Sequence, residues 1–256
     1  MLPVFEKNVT QLAMDRIPTN LSGKPFEQLK FKGSDNEKIT DEDVKRLSDA
    51  LSQNTKFFGP LILAKNDLSD LSALYLSQAF KHFSGIRALD FSHNNLSSKS
   101  GEFIGSVIHP DYKIYSLKFK GINLETNGLR WILEASNANK FITTIDLGIL
   151  TTNGLALLTE MLPFDSTFTL RRLKFSESED CPFTSEDKKN FCEMIKNNTE
   201  IQSIKIKMVE KDKLFLKTVA SSTKDKIKSQ KQINRFMKRN KELILGNMVS
   251  QIDQIG

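Results

Sequence analysis

A short apolar triplet returns five times at an interval of 28 residues: Leu61-Ile62-Leu63, Leu89-Asp90-Phe91, Leu117-Lys118-Phe119, Ile145-Asp146-Leu147 and Leu173-Lys174-Phe175. A unit this small cannot bury an apolar face alone, so neighbouring units must stack and share one continuous core, as in a solenoid. Within the triplet the side-chain period is two, as in a short strand. The first and third residues turn toward the core and the middle one turns away. An Asn stands three residues after the triplet in the better units (Asn66, Asn94), followed by Leu68 and Leu96. An amide at such a turn can bond backbone groups of its own loop and of the next unit. In the following unit Ile122 replaces the amide while Leu124 is kept.

A helix is expected after each turn. Gly101 and Gly128 precede apolar residues at helical spacing, Phe103, Ile104, Val107 and Ile108 in one unit and Leu129, Ile132 and Leu133 in the next. Asp41-Glu42-Asp43 and Thr184-Ser185-Glu186-Asp187 place acids and capping residues where free amides and the helix dipole favour them. Polar links such as Ser52 to Thr55 and Lys196 to Thr199 then return the chain to a strand.

The strings Leu-x-Leu-x-x-Asn-x-Leu at Leu61 to Leu68 and Leu-x-Phe-x-x-Asn-x-Leu at Leu89 to Leu96 resemble the ribonuclease-inhibitor class of leucine-rich repeats. Further units fit at Leu29-Lys30-Phe31, 32 residues before Leu61, and at Ile204-Lys205-Ile206, 31 after Leu173. The resemblance implies an α/β horseshoe with about seven parallel strands on the concave side and helices on the convex side. It divides the chain into an amino-terminal cap (1–26), repeats (27–209) and a basic helical cap (210–256). Fold says little about function in such proteins, whose usual role is binding.

The middle residues of the triplets, which should line the hollow, are Lys30, Ile62, Asp90, Lys118, Asp146, Lys174 and Lys205. Asp90, Lys118, Asp146 and Lys174 form a ladder of alternating charge. Beyond it the alternation stops: Arg172, Lys174, Lys205 and Lys207 are all cationic, with only Glu177 close by in sequence. From Lys205 to Lys241 there are thirteen bases and three acids, whereas residues 1–204 carry 24 bases and 26 acids. The residues expected to bind a protein partner are therefore Lys118, Lys120, Arg172, Lys174, Lys205 and Lys207. A basic patch attracts an acidic protein, anionic lipid or nucleic acid, and a solvated helix surface is the alternative for its tail.

Catalytic groups are scarce. His82 (placed on a helix), His93 and His109 occupy three different places in the repeat, and Asp90, Ser92 and His93 diverge by alternation, so neither a metal site nor a triad is expected. No phosphate-binding glycine loop or nucleophile elbow is present. No enzyme activity, cofactor or metal is expected. Cys192 reads as a buried packing thiol, Cys181 as an exposed one in a loop from Ser176 to Thr184, and Trp131 as a packing residue. Two cysteines, no long apolar run and no secretory signal in the first 16 residues point to a cytoplasmic monomer.

After Met208 the period ends. Ala220-Ser221-Ser222-Thr223 suggests a break before an amphipathic basic helix carrying Ile227, Ile233, Phe236 or Met237, and Leu243 or Ile244 on one face. The stretch Ile233 to Asn240 is similar to tails of repeat effectors from intracellular bacteria, which implies action in a host cytoplasm. The final residues lack the acidic cluster common in such export signals. Activators of the GTPase Ran share the repeat class, and GTPase regulation is an alternative; their acidic tail is replaced by a basic one here, and no functional arginine can be matched. Actin pointed-end cappers also end in such repeats and a helix, without the functional sequence outside them having a counterpart here.

Overall fold

A computed structural model describes residues 29–34, 38–53, 58–162, 169–210 and 212–224. Strands and helices alternate: β1 (Leu29–Lys30), α1 (Asp41–Gln53), β2 (Gly59–Ile62), α2 (Asp70–Phe80), β3 (Ile86–Asp90), α3 (Ser98–Gly105), β4 (Ser116–Lys118), α4 (Glu125–Ala138), β5 (Thr144–Leu150), α5 (Thr152–Met161), β6 (Arg172–Glu177), α6 (Ser185–Asn197) and β7 (Ser203–Lys207). Residues 213–224 are also helical and are called α7. The proposed amino-terminal cap and the basic segment from Ile227 onward lie outside the described residues.

All seven strands form one parallel sheet in sequence order. The triplet sets its register: Leu29, Leu61, Leu89, Leu117, Ile145, Leu173 and Ile204 stand side by side. All but Ile204 are buried, as are Leu63, Phe91, Phe119, Leu147 and Phe175 at the third position. Each such side chain contributes about 1.5–3 kcal/mol by leaving water, so the stacked rows dominate stability. Phe91 and Phe119 stack with centroids 6.3 Å apart. Helices need about 8–10 Å between axes and strands about 4.8 Å, so a stack with one of each per unit bends with its sheet inside. The chain is an α/β solenoid of the leucine-rich-repeat type.

Two polar ladders join the units. Asn66 accepts the Ile39 N–H (3.0 Å) and donates to the carbonyls of Phe31 and Leu63 (both 2.8 Å). Asn94 repeats this one unit on, donating to Leu63 and Phe91 and accepting from the amides of Asn66 and Leu68. The second ladder runs along the helix starts. Asp41 accepts from the backbone and hydroxyl of Ser69 and from the Ser72 hydroxyl; Asp70 does the same for Ser97 and Ser100. Ser69 and Ser97 are themselves the N-caps of α2 and α3. Burial pushes both carboxyls up, but the hydrogen bonds outweigh it and hold them below the usual range. The expected cap of α6 is present as a reciprocal box between Thr184 and Asp187, and Asn198 ends that helix by accepting from the amides of Glu200 and Ile201.

Several expectations need correction. Of the residues expected at helical spacing, Val107 and Ile108 fall beyond the end of α3, whereas Gly101 and Gly128 lie inside α3 and α4, where the two backbones touch. Their missing side chains permit that approach. His82 sits in the turn after α2 rather than on it. The loop after β6 starts at Ser178, because the strand extends through Glu177. No break occurs at Ala220 to Thr223. The Ser221 and Ser222 hydroxyls donate to the Thr218 carbonyl and Thr223 to that of Val219, so these residues stay within α7.

Among the described residues no strand follows β7, and Ile204 and Ile206 are only half-buried. An aromatic cluster closes this end. Phe175 meets Phe191 edge-on at 5.7 Å, and Phe191 meets Phe215 of α7 at 6.2 Å.

Candidate concave binding surface

Period-two alternation places residues of β3 to β7 alternately in the core and on the open sheet face. In register across that face stand Asp90, Lys118, Asp146, Lys174 and Lys205. A second row holds Ser116, Thr144, Arg172 and Ser203, and a third, after an irregularity in β5, holds Ile149, Ser176 and Lys207. Five of the six candidate residues, Lys118, Arg172, Lys174, Lys205 and Lys207, therefore share one surface. Lys120 lies two residues beyond the end of β4, at its rim.

The expected charge ladder is formed, unevenly. Lys118 reaches Asp90 at 3.3 Å. Such a solvent-accessible pair contributes about 0–1 kcal/mol and mainly fixes side-chain position. Asp146 is different: burial pushes its carboxyl up, only partly offset by the Gly148 amide and the Lys174 and Lys120 charges. An acid whose folded-state pKa is raised costs stability once pH passes its unfolded value, and the cost is complete above the folded one. Asp146→Asn should therefore raise stability at neutral pH, with the gain vanishing in acid. Urea midpoints of both proteins across pH 3–8 test this; a pH-independent difference would contradict it.

Glu177 departs from expectation. As the odd-numbered partner of Leu173 and Phe175 it faces inward, 7% exposed, and its two oxygens accept the amides of Phe183 (2.8 Å) and Val209 (2.9 Å). It ties the loop after β6 to the segment after β7. Its position two residues past Phe175 already carried that signal.

The carboxyl ends of the strands open into a cleft of about 570 Å³ bordered by His93, Lys120, Ser176, Asp180 and Lys207. His93 has a left-handed backbone (φ 59°), as do Lys65 and Gly121 at the equivalent turns. Ser92 donates its amide to the Asp90 carboxylate at 3.0 Å. Among the described residues no cluster of three His, Cys, Asp or Glu could hold a metal.

The opposite, amino-terminal rim was not singled out from the sequence. The Phe58 ring lies 5.0 Å from the Arg87 guanidinium, and Tyr115 meets Phe141 edge-on at 6.4 Å. Phe58 and Tyr115 are 51% and 45% exposed. Arg87, Tyr115 and Arg171 all fall two residues before their triplets, a signal that the period contains. Arg171 is held by Glu200 at 2.7 Å. Trp131 leaves 40% of its surface exposed, more than a packing residue would. Cys192 is half-buried rather than buried, with its thiol pushed up by burial, and Cys181 is exposed.

No helix among the described residues is long and apolar enough to cross a membrane. No family model matches the sequence, and neither does any curated protein. Similar solved structures include leiomodin-1 actin-binding site 2, 16% identical, with 94% of this chain and 99% of that one covered and a TM-score of 0.37. Another is the tropomodulin C-terminal domain of Caenorhabditis elegans, 10% identical, with 89% and 98% covered and a TM-score of 0.36. What those domains bind is a property of theirs; the fold assignment here rests on strand order and register.

Proposed function

We propose that the chain is a protein-recognition module of the ribonuclease-inhibitor-like repeat class, which takes its partner on the concave sheet face. The observation that carries this reading is the face itself: register-aligned strands present Lys118, Arg172, Lys174, Lys205 and Lys207 on one surface opposite the helices. Lys120 extends it to the rim. The hydrogen-bonded sheet fixes the backbone that carries these residues, so the surface needs no folding step to engage and only side chains are ordered on binding. A helix in each interval between strands and the 28-residue period support the repeat class.

Quantitative affinity capture tests it, comparing wild type, Lys174→Glu/Lys205→Glu and Lys99→Glu on the helical side. Partners lost with the double variant and kept with Lys99→Glu support the reading. Partners kept equally by all three reject it.

A further inference from the structure

The concave face is not one uniform surface. From β3 to β5 its charges are engaged or opposed: Lys118 pairs with Asp90, and Asp146 lies between Lys118 and Lys174. On β6 and β7 the outward charged positions are all cationic, namely Arg172, Lys174, Lys205 and Lys207. Among the described residues none of the four forms an ion pair. Of the acids nearby in sequence, Glu177 is turned into the core, where it accepts two backbone amides, and Glu179 and Asp180 follow it in the loop that borders the cleft beside Lys207. Ser176 and Ser203 stand between the cations as small hydroxyl donors.

Holding four like charges on two adjacent strands is unfavourable in the free protein, since side chains directly opposite each other, as Lys174 and Lys205 are, repel. An anion settling on them relieves that repulsion and gains charge-assisted hydrogen bonds. We propose that this grid on β6 and β7 is an anchoring subsite for an acidic protein segment, whose carboxylates meet Arg172, Lys174, Lys205 and Lys207. The inference rests on the recognition function above and names the chemistry of its partner.

Spacing fits that occupant. The cations lie about 4.8 Å apart across strands and about 6.6 Å apart along one, by ordinary sheet geometry. Carboxylates at alternate positions of an extended chain, or one turn apart on a helix, have the same separations. A nucleic-acid strand fits less well: single strands are held by aromatic stacking as well as charge, and the outward positions from β4 to β7 carry no aromatic residue, only Ser, Thr, Asp, Lys, Arg and Ile149. A strand continuing past the grid would also meet Asp146. A flat membrane cannot reach the floor of a concave sheet as closely as a narrow peptide can.

Fluorescence anisotropy tests the subsite with a labelled peptide of alternating Glu and Gly, its Gln–Gly counterpart, a labelled oligouridylate, and phosphatidylserine vesicles by sedimentation. The Glu–Gly peptide should bind wild type, weaken as salt rises, and lose at least about tenfold with Lys174→Glu/Lys205→Glu, the scale of one or two charged contacts. Arg172→Gln/Lys207→Gln should weaken it as well, and guards against a folding defect in the first variant. The reversed variant should gain binding to a Lys–Gly peptide. Equal binding of Glu–Gly and Gln–Gly, no binding of either, or tighter binding of oligouridylate or vesicles overturns the proposal. If that happens while captured partners still depend on Lys174 and Lys205, the recognition function stands and only this subsite falls.

Discussion

Gly128→Ala should lower the unfolding free energy by about 3 kcal/mol or more, at the top of the range for overfilling a packed interior. On an isolated helix the same change is favourable by about 1 kcal/mol, so the sign alone distinguishes the two situations. A methyl group at Gly128 would come within 2.5 Å of the Ser98 carbonyl oxygen and 2.7 Å of its Cα. One at Gly101 would meet the Gly128 carbonyl oxygen at 2.4 Å. These neighbours are backbone, so no side chain can rotate aside. Relief requires moving α3 away from α4, and each helix is already packed on the units beside it. Urea unfolding of Gly128→Ala, Gly101→Ala and the pair is the measurement. The pair should cost less than the sum, because one displacement accommodates both methyl groups. A neutral or stabilising Gly128→Ala would show that the helices do not meet this closely.

Asn66→Ala should cost about 3 kcal/mol, for hydrogen-bonding reasons rather than volume. The amide is 2% exposed and serves the Ile39 amide and the Phe31 and Leu63 carbonyls, on three separate segments. Truncation strands those backbone groups away from solvent, at about 1–3 kcal/mol for each that water cannot reach. Asn66→Asp keeps the shape and replaces the donating NH₂ with an oxygen facing two carbonyl oxygens. It should be about as damaging as Ala at neutral pH and recover partly in acid, where a protonated carboxyl donates again. Thermal and urea unfolding at pH 7 and pH 4 decide it. An Asp variant as stable as wild type at pH 7 would mean that volume, not donation, holds the turn.

The fold was legible because one numerical regularity specified strands, faces and register together. Leu61, Leu89, Leu117 and Ile145 could be laid side by side from their numbers, and the outward row followed. What escaped notice was polar and also periodic. Asp41 with Ser69 and Ser72, and Asp70 with Ser97 and Ser100, link consecutive helix starts. Acids at a helix start satisfy their own helix in most proteins, so nothing local announces a bond to the next one. The role of Gly101 and Gly128 is hidden for a related reason: within one sequence a glycine beside a helical run shows nothing of what faces it, and only the facing helix reveals the contact. The positions of five cations on the open sheet face followed from the period, but not the place of Lys120 at the rim, the engagement of Lys118 by Asp90 or the inward turn of Glu177.

The two terminal strands of the sheet carry a further consequence. Among the described residues, β1 and β7 pair on one side each and carry Lys30 and Lys205 in the outward row. A lysine at such a position discourages pairing with a foreign strand, because its charge would have to be brought against whatever that strand presents. The same side chains that face a partner on the open sheet therefore also disfavour unspecific strand addition.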